Sequence, residues 1–232
     1  VTGTFCKHVT RLSLLRSDGE IIECSESQRA EWFAASCGGL GLSGIILWVE
    51  VQLRPLQGPW LDSETIKFES LDDFFRLSNE SEADFEYTVS WIDCLSQSVR
   101  GHFNRANHAA AEHAAPPSRK IPAIPFAPPF SPVNRYTLKA FNSAYFHRQR
   151  AVRKQQLAPW QSWFFPLDAV PHWNRLYGKA GFRQYQCVVP EEVVGELLAV
   201  IRQAGEGSFL AVLKKFGQHS SPALMSFPRV GT

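Results

Sequence analysis

The segment Gly39-Leu40-Gly41-Leu42-Ser43-Gly44 spells GxGxxG, and Glu64 follows twenty residues after its last glycine. A dinucleotide-binding loop with that spelling works because a strand delivers the glycines and a helix leaves them, so pyrophosphate meets a helix N-terminus. Here a helical pattern comes first and the β-branched run IILWVEV follows. The order is inverted, and a Rossmann reading fails. What remains is a turn that lets backbone approach something closely, either a packing neighbour or a cofactor. Gln184 and Gln186 lie two apart in FRQYQCVVP. If that run is a strand, both amides project from one face. Lys214 shares a predicted strand face with Val212 and Phe216, where an ammonium is costly unless it meets an anion or acceptor, or snorkels at a sheet edge. Trp91 alternates with Tyr87 and Val89; by themselves Trp91 and Trp173 read as core aromatics. RQRAVRK, with four positive charges over 148–154, reads as a solvated helix face rather than a nucleic-acid or anionic-lipid contact. His102, His108 and His113 are irregularly spaced in what reads as an Ala-rich polar loop, so no metal site is expected.

The elements that must position these residues follow from periodicity and punctuation. HVTRLSLLRSDGEIIECS is a hairpin turning at Asp18-Gly19. A short helix follows to Ser36, with Ser25 or Ser27 as N-cap. The IILWVEVQLRP strand stops at Pro55. Strand TIKFES, helix LDDFFRLSNES and strand FEYTVSWIDC come next. Residues 106–135 hold seven of the 15 prolines and read as irregular. TLKAFNSAYFHRQRAVRK reads as helical, WQSWFFPLDAVPHWNRLYG as an aromatic turn region, and FRQYQCVVP, EEVVGELLAVIRQAG and SFLAVLKKFG as strand, helix and strand. Gly205 caps that last helix. Two strand–helix–strand units predict an α+β fold: an antiparallel sheet with helices on one face.

Composition excludes several classes. The chain has 232 residues, 44% hydrophobic and 20% charged, which is too apolar for a disordered protein. Lys+Arg exceed Asp+Glu by 24 − 22 = 2, which argues against a dedicated nucleic-acid binder. No stretch reaches the roughly 18 apolar residues of a membrane span. Five cysteines without a CxxC pair imply buried free thiols in a reducing, cytoplasmic compartment. The chain opens VTGTF without Met, and a piece of a longer protein is expected.

FAASCGGLGLSGII followed by VEVQLRP resembles the close of the FAD-binding domain in the vanillyl-alcohol-oxidase-type (PCMH-type) flavoproteins. With VTGTFCKHV, YTVSWIDC, WFFPLDAVPHWNRLYGKAGFRQYQCVVP and SFLAVLKKFG, the chain resembles the decaprenylphosphoryl-β-D-ribose oxidase branch, the flavin-dependent half of a 2′-epimerase, in one register throughout. The resemblance implies that 1–57 close a FAD-binding domain and 58–232 form a substrate-binding cap. It implies FAD contacts at Gly3, Thr4, Phe5, Gly41, Gly44 and Ile46. It implies a substrate pocket lined by Trp91, Phe164, Asn174, Gln184, Gln186, Lys214 and Phe216. No catalytic side chain is assigned, since the flavin does the chemistry. The family often has Tyr-His where this chain has Phe164-Phe165, which removes a hydroxyl and an imidazole. The loops that grip FAD most strongly lie upstream of Val1, so the chain alone is expected to hold FAD weakly and to be silent. The expected reaction is oxidation of a secondary alcohol on a lipid-linked pentose, with a short-chain reductase as partner and possible contact with a membrane surface. An aldonolactone oxidase and a non-catalytic α+β binding module are the alternatives.

Overall fold

The computed structural model describes residues 3–110, 123–129, 131–205, 207–217, 221, 223–225 and 230–232. Two compact units are present. One comprises the chain up to Pro55 with Cys187–Glu191 and Lys215–Thr232; the other comprises Leu56–Gln186 and Glu192–Lys214.

In the first unit, β1 (Val9–Leu15) and β2 (Ile21–Ser25) form the expected hairpin. Gly19 adopts φ +86°, and Asp18 Oδ1 accepts the Glu20 N–H at 3.0 Å, so the turn is closed by its own side chain. Helix α1 (Ala30–Ser36) follows, then β3 (Ile45–Val51) on the other edge of β1, giving the order β2-β1-β3. Neither Ser25 nor Ser27 caps α1: its N-cap is Arg29, left-handed at φ 51°. Ser25 Oγ instead accepts the Gln28 N–H at 3.0 Å and closes the preceding turn, the local bond that serine offers in competition with a cap. Leu12, Leu14, Ile22, Cys24, Phe33 and Ala223 share one buried core. The late segments of this unit are tied together: Val189 and Thr232 exchange two backbone hydrogen bonds of 2.9 Å, and Lys215 pairs with Glu191 at 2.9 Å.

The second unit is a five-stranded antiparallel sheet. Its strands are β4 (Trp60–Phe68), β5 (Tyr87–Ile92), β6 (Gly101–His108), β7 (Arg153–Pro159) and β8 (Ala211–Leu213), in the order β7-β4-β6-β5-β8. Helix α2 (Leu71–Ser81) is capped by Ser70, whose Oγ accepts the Asp73 N–H at 3.0 Å. Its Phe74 packs on Phe68 and Phe103, with ring centroids 6.0 and 6.2 Å apart. On the same sheet face Arg105 Nε donates to the buried Glu64 carboxylate at 2.6 Å.

The opposite face is covered at one end by α3 (Arg135–Arg148), whose Tyr145 and Phe146 meet Trp91 and His102. Helices therefore flank both faces, not one as the sequence pattern predicts. The row Trp91–His102–Lys67 is as rich in ring surface as the Phe103 side and needs its own cover. α3 begins at an Asn134 capping box. The basic run does not continue it: Arg153 and Lys154 open β7, an edge strand whose charges discourage further pairing.

The 106–135 segment is also not wholly irregular, since β6 extends to His108; residues 111–122 lie outside the described residues. Residues 181–190 form no strand. Gly178 and Gly181 adopt φ +64° and +67°, and Phe182 folds back onto Tyr177 and Trp173 at 4.8 and 5.1 Å. Helix α4 (Trp160–Phe164) and helix α5 (Val194–Ala204), ended by Gly205 at φ 73°, complete the unit.

Candidate functional site

Cross-strand register sorts the second unit's sheet into rows, because opposed residues share a face. Trp91, His102 and Lys67 form one row; Val89, Asn104, Thr65 and Lys154 the next; Tyr87, Ala106, Ser63 and Gln156 the third; His108 and Leu61 the last. α3 covers the first row, while Trp163 and Phe164 of α4 stand against Tyr87 at 5.9 and 4.9 Å. Between them runs a half-buried polar strip. Thr65 Oγ1 donates to Asn104 Oδ1 at 2.8 Å, and Asn104 Nδ2 donates to the Val89 carbonyl at 3.3 Å. Aromatic rings thus stand at both ends of a row of mutually hydrogen-bonded polar side chains, and apolar surface around a few fixed polar groups is what a small-molecule site requires.

Two of the predicted substrate residues reach this face. Trp91 is 6% exposed, its Nε1–H donates to the Phe209 carbonyl at 2.7 Å, and its ring lies 4.6 Å from Tyr145. It is a rigid, packed part of the wall. Phe164 is 37% exposed and edge-on to Tyr87. Val212 opposes Trp91; Lys214 is exposed and lies one residue beyond β8, where no pairing fixes the face it takes.

Asn174 is exposed on the 3-10 turn Trp173–Ala180, which is fastened to the face through Tyr177 against Phe209 at 6.1 Å. Gln184 and Gln186 are exposed on 181–190. With no strand there, in contrast to the one expected from the sequence, alternation does not put their amides on a common face. Among the described residues no hydrogen bond or ring contact ties Asn174, Gln184 or Gln186 to the sheet. Phe216 belongs to the first unit, where its N–H donates to the Gly231 carbonyl at 2.7 Å.

The sequence pattern predicts a loop at His102 and His108, and the structure differs. Both sit on β6 and, six residues apart, on one face of it; the even spacing across 102, 104, 106 and 108 was the available signal. His102 is 6% exposed, stacks on Phe146 at 5.6 Å and 13°, and its Nε2–H donates to the Phe146 carbonyl at 3.2 Å. Burial, aided by nearby Lys67 and Arg148, pulls its imidazole down from 6.5 to about 4, against the Phe146 bond, so it is neutral. His108 Nε2 lies 3.1 Å from the Tyr87 hydroxyl. Sequence reasoning had no reason to single out Tyr87, Thr65 or Asn104 for this strip.

The residues expected to meet FAD lie in the first unit. Gly3 and Gly41 take φ +85° and +77°, and Gly44 takes +145°. A Cβ on Gly44 would stand 2.4 Å from the Leu15 carbonyl oxygen, whereas one on Gly41 meets nothing within 4 Å. Gly44 is therefore demanded by packing and backbone, and Gly41 by backbone alone. Thr4 Oγ1 donates to Ser221 Oγ at 3.1 Å, and Phe5 is 66% exposed. Cys6 packs against the buried cluster that holds Cys37, which sets the segment after Phe5 against the same core as the end of α1, from which the glycine turn departs. Ile46 is 44% exposed, and its β3 neighbours Ile45, Leu47, Trp48 and Val49 are all exposed too. Positive-φ backbone next to uncovered aliphatic side chains fits a flat, largely apolar ring system, so this surface is compatible with FAD.

Among the described residues no cluster of His, Cys, Asp or Glu could hold a metal ion, and no helix is long and apolar enough to cross a membrane.

No family model matches the chain. It is 30% identical over 246 residues to the decaprenylphosphoryl-β-D-ribose oxidase of Mycolicibacterium smegmatis, an alignment covering 99% of this chain and 53% of that protein. A Streptomyces coelicolor protein of uncharacterised function is 26% identical over 99% of the chain and 67% of its own length. The mouse L-gulonolactone oxidase is 42% identical over 53 residues, 23% of this chain and 12% of that protein. The chain thus spans about half the length of the M. smegmatis oxidase. Over essentially its whole length the chain is a homologue of decaprenylphosphoryl-β-D-ribose oxidase, and the segment it shares with the L-gulonolactone oxidases is consistent with the FAD-linked oxidase superfamily.

Proposed function

We propose that the full-length protein oxidises a secondary alcohol of a lipid-linked pentose, with the first unit contributing to the FAD site and the second forming the substrate-binding cap. The alignment across 99% of the chain to an oxidase named for a decaprenylphosphoryl pentose carries this reading. Bound FAD would supply a hydride acceptor at N5 for the carbinol carbon, the hydroxyl proton passing to water as the keto sugar forms. This chain's residues bind and orient. Lys214 offers a cation to the phosphate or sugar oxygens. Trp91 and Phe164 wall the sugar and exclude water, with Phe216 as a further apolar contact. Asn174, Gln184 and Gln186 supply amide donors and acceptors. Gly3, Thr4, Phe5, Gly41, Gly44 and Ile46 hold one side of the flavin. A short-chain reductase that returns the keto sugar with inverted configuration is the implied partner, and peripheral contact with a cytoplasmic membrane surface is the implied route to a polyprenyl substrate.

A lactone or free sugar alcohol is the second reading, favoured by the 42% and 45% identical segments shared with mouse and bovine L-gulonolactone oxidases. The deciding experiment is anaerobic titration of the purified full-length protein. A yellow protein bleached by a polyprenylphosphoryl pentose supports the first reading, and one bleached only by an aldonolactone supports the second. A colourless full-length protein would sink both.

A further inference from the structure

The basic run 148–154 does not continue α3 as a solvated helix face; it turns a corner at the edge of the sheet. Gln149 fastens that corner. Its Nε2–H donates to the Thr65 carbonyl at 3.1 Å and to the Ala151 carbonyl at 3.0 Å, and the Lys67 N–H donates to the Val152 carbonyl at 2.8 Å. Arg148, Arg150, Arg153 and Lys154 are all exposed. Since Arg153 opposes Ile66, Val152 lies across from Lys67, on the sheet face that α3 covers. Val152 is 69% exposed there.

The outer side of α3 continues this surface. Leu138, Asn142 and Phe146, spaced by four, are its buried stripe. Tyr136, Ala140 and His147 fall on the opposite side, with Lys139 and Arg148 on the two flanks, and all five are exposed. Tyr136 is 84% exposed.

The charge along this surface has one sign. Between Glu112 and Asp168 the sequence has no Asp or Glu. Residues 135–154 carry six of the 24 Lys and Arg, which leaves 24 − 6 = 18 basic against 22 acidic residues elsewhere. The chain is near neutral only as a sum: this strip is basic and the remainder is acidic. Among the described residues Arg153 alone of the six cations is ion-paired, to Glu64 Oε1 at 3.4 Å. Cations of one sign set among exposed aromatic and aliphatic side chains match an anionic lipid surface, where the cations meet headgroup phosphates and the apolar groups enter the headgroup boundary. A nucleic acid would use the same cations but would gain nothing from an exposed valine.

We propose that α3 and the corner after it dock the protein on an anionic bilayer, with Lys139, Arg148 and Arg150 on headgroup phosphates and Tyr136 and Val152 in the headgroup layer. The inference rests on the membrane contact of the proposed function and names the surface that makes it.

The test is cosedimentation of the full-length protein with vesicles of phosphatidylcholine and with vesicles of equimolar phosphatidylcholine and phosphatidylglycerol. Binding is expected only with the anionic vesicles and should fall as salt is added. Each cation near such a surface adds about fivefold in affinity, so Lys139→Gln, Arg148→Gln and Arg150→Gln together should weaken binding about a hundredfold. Arg148→Lys with Arg150→Lys keeps the charge and should bind as the unsubstituted protein does. Tyr136→Ser with Val152→Ser should weaken vesicle binding about tenfold. Every variant should keep its melting temperature and its bleaching by a short-chain sugar substrate. Equal binding to both vesicle types, or anionic binding that the triple variant retains, overturns the proposal. So does duplex DNA bound more tightly than the anionic vesicles, with an affinity that Tyr136→Ser and Val152→Ser leave unchanged. A protein that docks on the anionic vesicles as expected but that no sugar alcohol bleaches overturns the sugar-oxidase reading alone. One that is bleached normally and ignores the anionic vesicles overturns this inference alone.

Discussion

Acidification should weaken the second unit through one side chain. His102 is neutral in the folded state because it is buried against Phe146, Trp91 and Tyr145, with Lys67 and Arg148 nearby. In the unfolded chain the same imidazole titrates near 6.5, and in the fold near 4. The folded value is the lower one, so its contribution to stability is complete above pH 6.5 and is lost as pH falls towards 4. At about 1.4 kcal/mol per pH unit, roughly 2 kcal/mol should be gone by pH 5 and about 3 by pH 4. Carboxylates titrate over the same range, so the measurement has to be a difference. His102→Gln keeps a donor for the Phe146 carbonyl and removes the titration. Urea unfolding of the full-length protein at pH 7.5 and pH 5.0, with and without the substitution, should show the midpoint of the unsubstituted protein falling about 1 M further than that of the variant. Parallel pH dependence in the two proteins would refute the argument that burial holds this imidazole neutral.

Other expectations follow from buried contacts. Glu64→Ala leaves the Arg105 guanidinium buried without its carboxylate and should cost about 3–5 kcal/mol in urea unfolding, whereas Glu64→Leu with Arg105→Met should recover most of that. An equal loss in the double variant would show that the charge is not the cause. Gly101→Ala puts a Cβ 2.1 Å from the Trp91 carbonyl oxygen and 2.7 Å from the Phe68 ring; overpacking at this junction should cost about 3 kcal/mol, and an unchanged melting temperature would contradict it. Burial and the adjoining Cys6 thiol push the Cys37 thiol up to about 12. Ellman's reagent should therefore consume the half-buried Cys187 well before Cys37, and equal labelling rates by peptide mapping would rule that out.

Elements with local punctuation were legible in the sequence. The Asp18-Gly19 hairpin, helix α2 and the Gly205 end of α5 all carry their signals within a few residues. β6 was not legible because GHFNRANH puts Arg105 on a buried face, and the carboxylate that makes this tolerable is Glu64, on another strand. β7 was hidden for a related reason: an exposed edge strand needs no apolar alternation, so its basic residues read as helix. The 181–190 run shows the converse, β-like residues for which the fold supplies no ladder. For the site, the resemblance supplied residues that spacing alone would have left as core aromatics and a snorkelling lysine. Tyr87 and His108 escaped because a pair twenty-one residues apart has meaning only once β5 lies against β6.

The first unit is discontinuous in the chain: Ala223 lies in the same apolar cluster as Leu12 and Phe33, and the intervening sequence is largely the other unit. As the polypeptide leaves the ribosome, the opening hairpin must therefore wait for well over a hundred residues before its core can be finished. The inserted sheet has all of its strands by Leu213 and is free to form meanwhile. Order of synthesis thus favours maturation of the inserted sheet ahead of closure of the discontinuous unit around it in sequence.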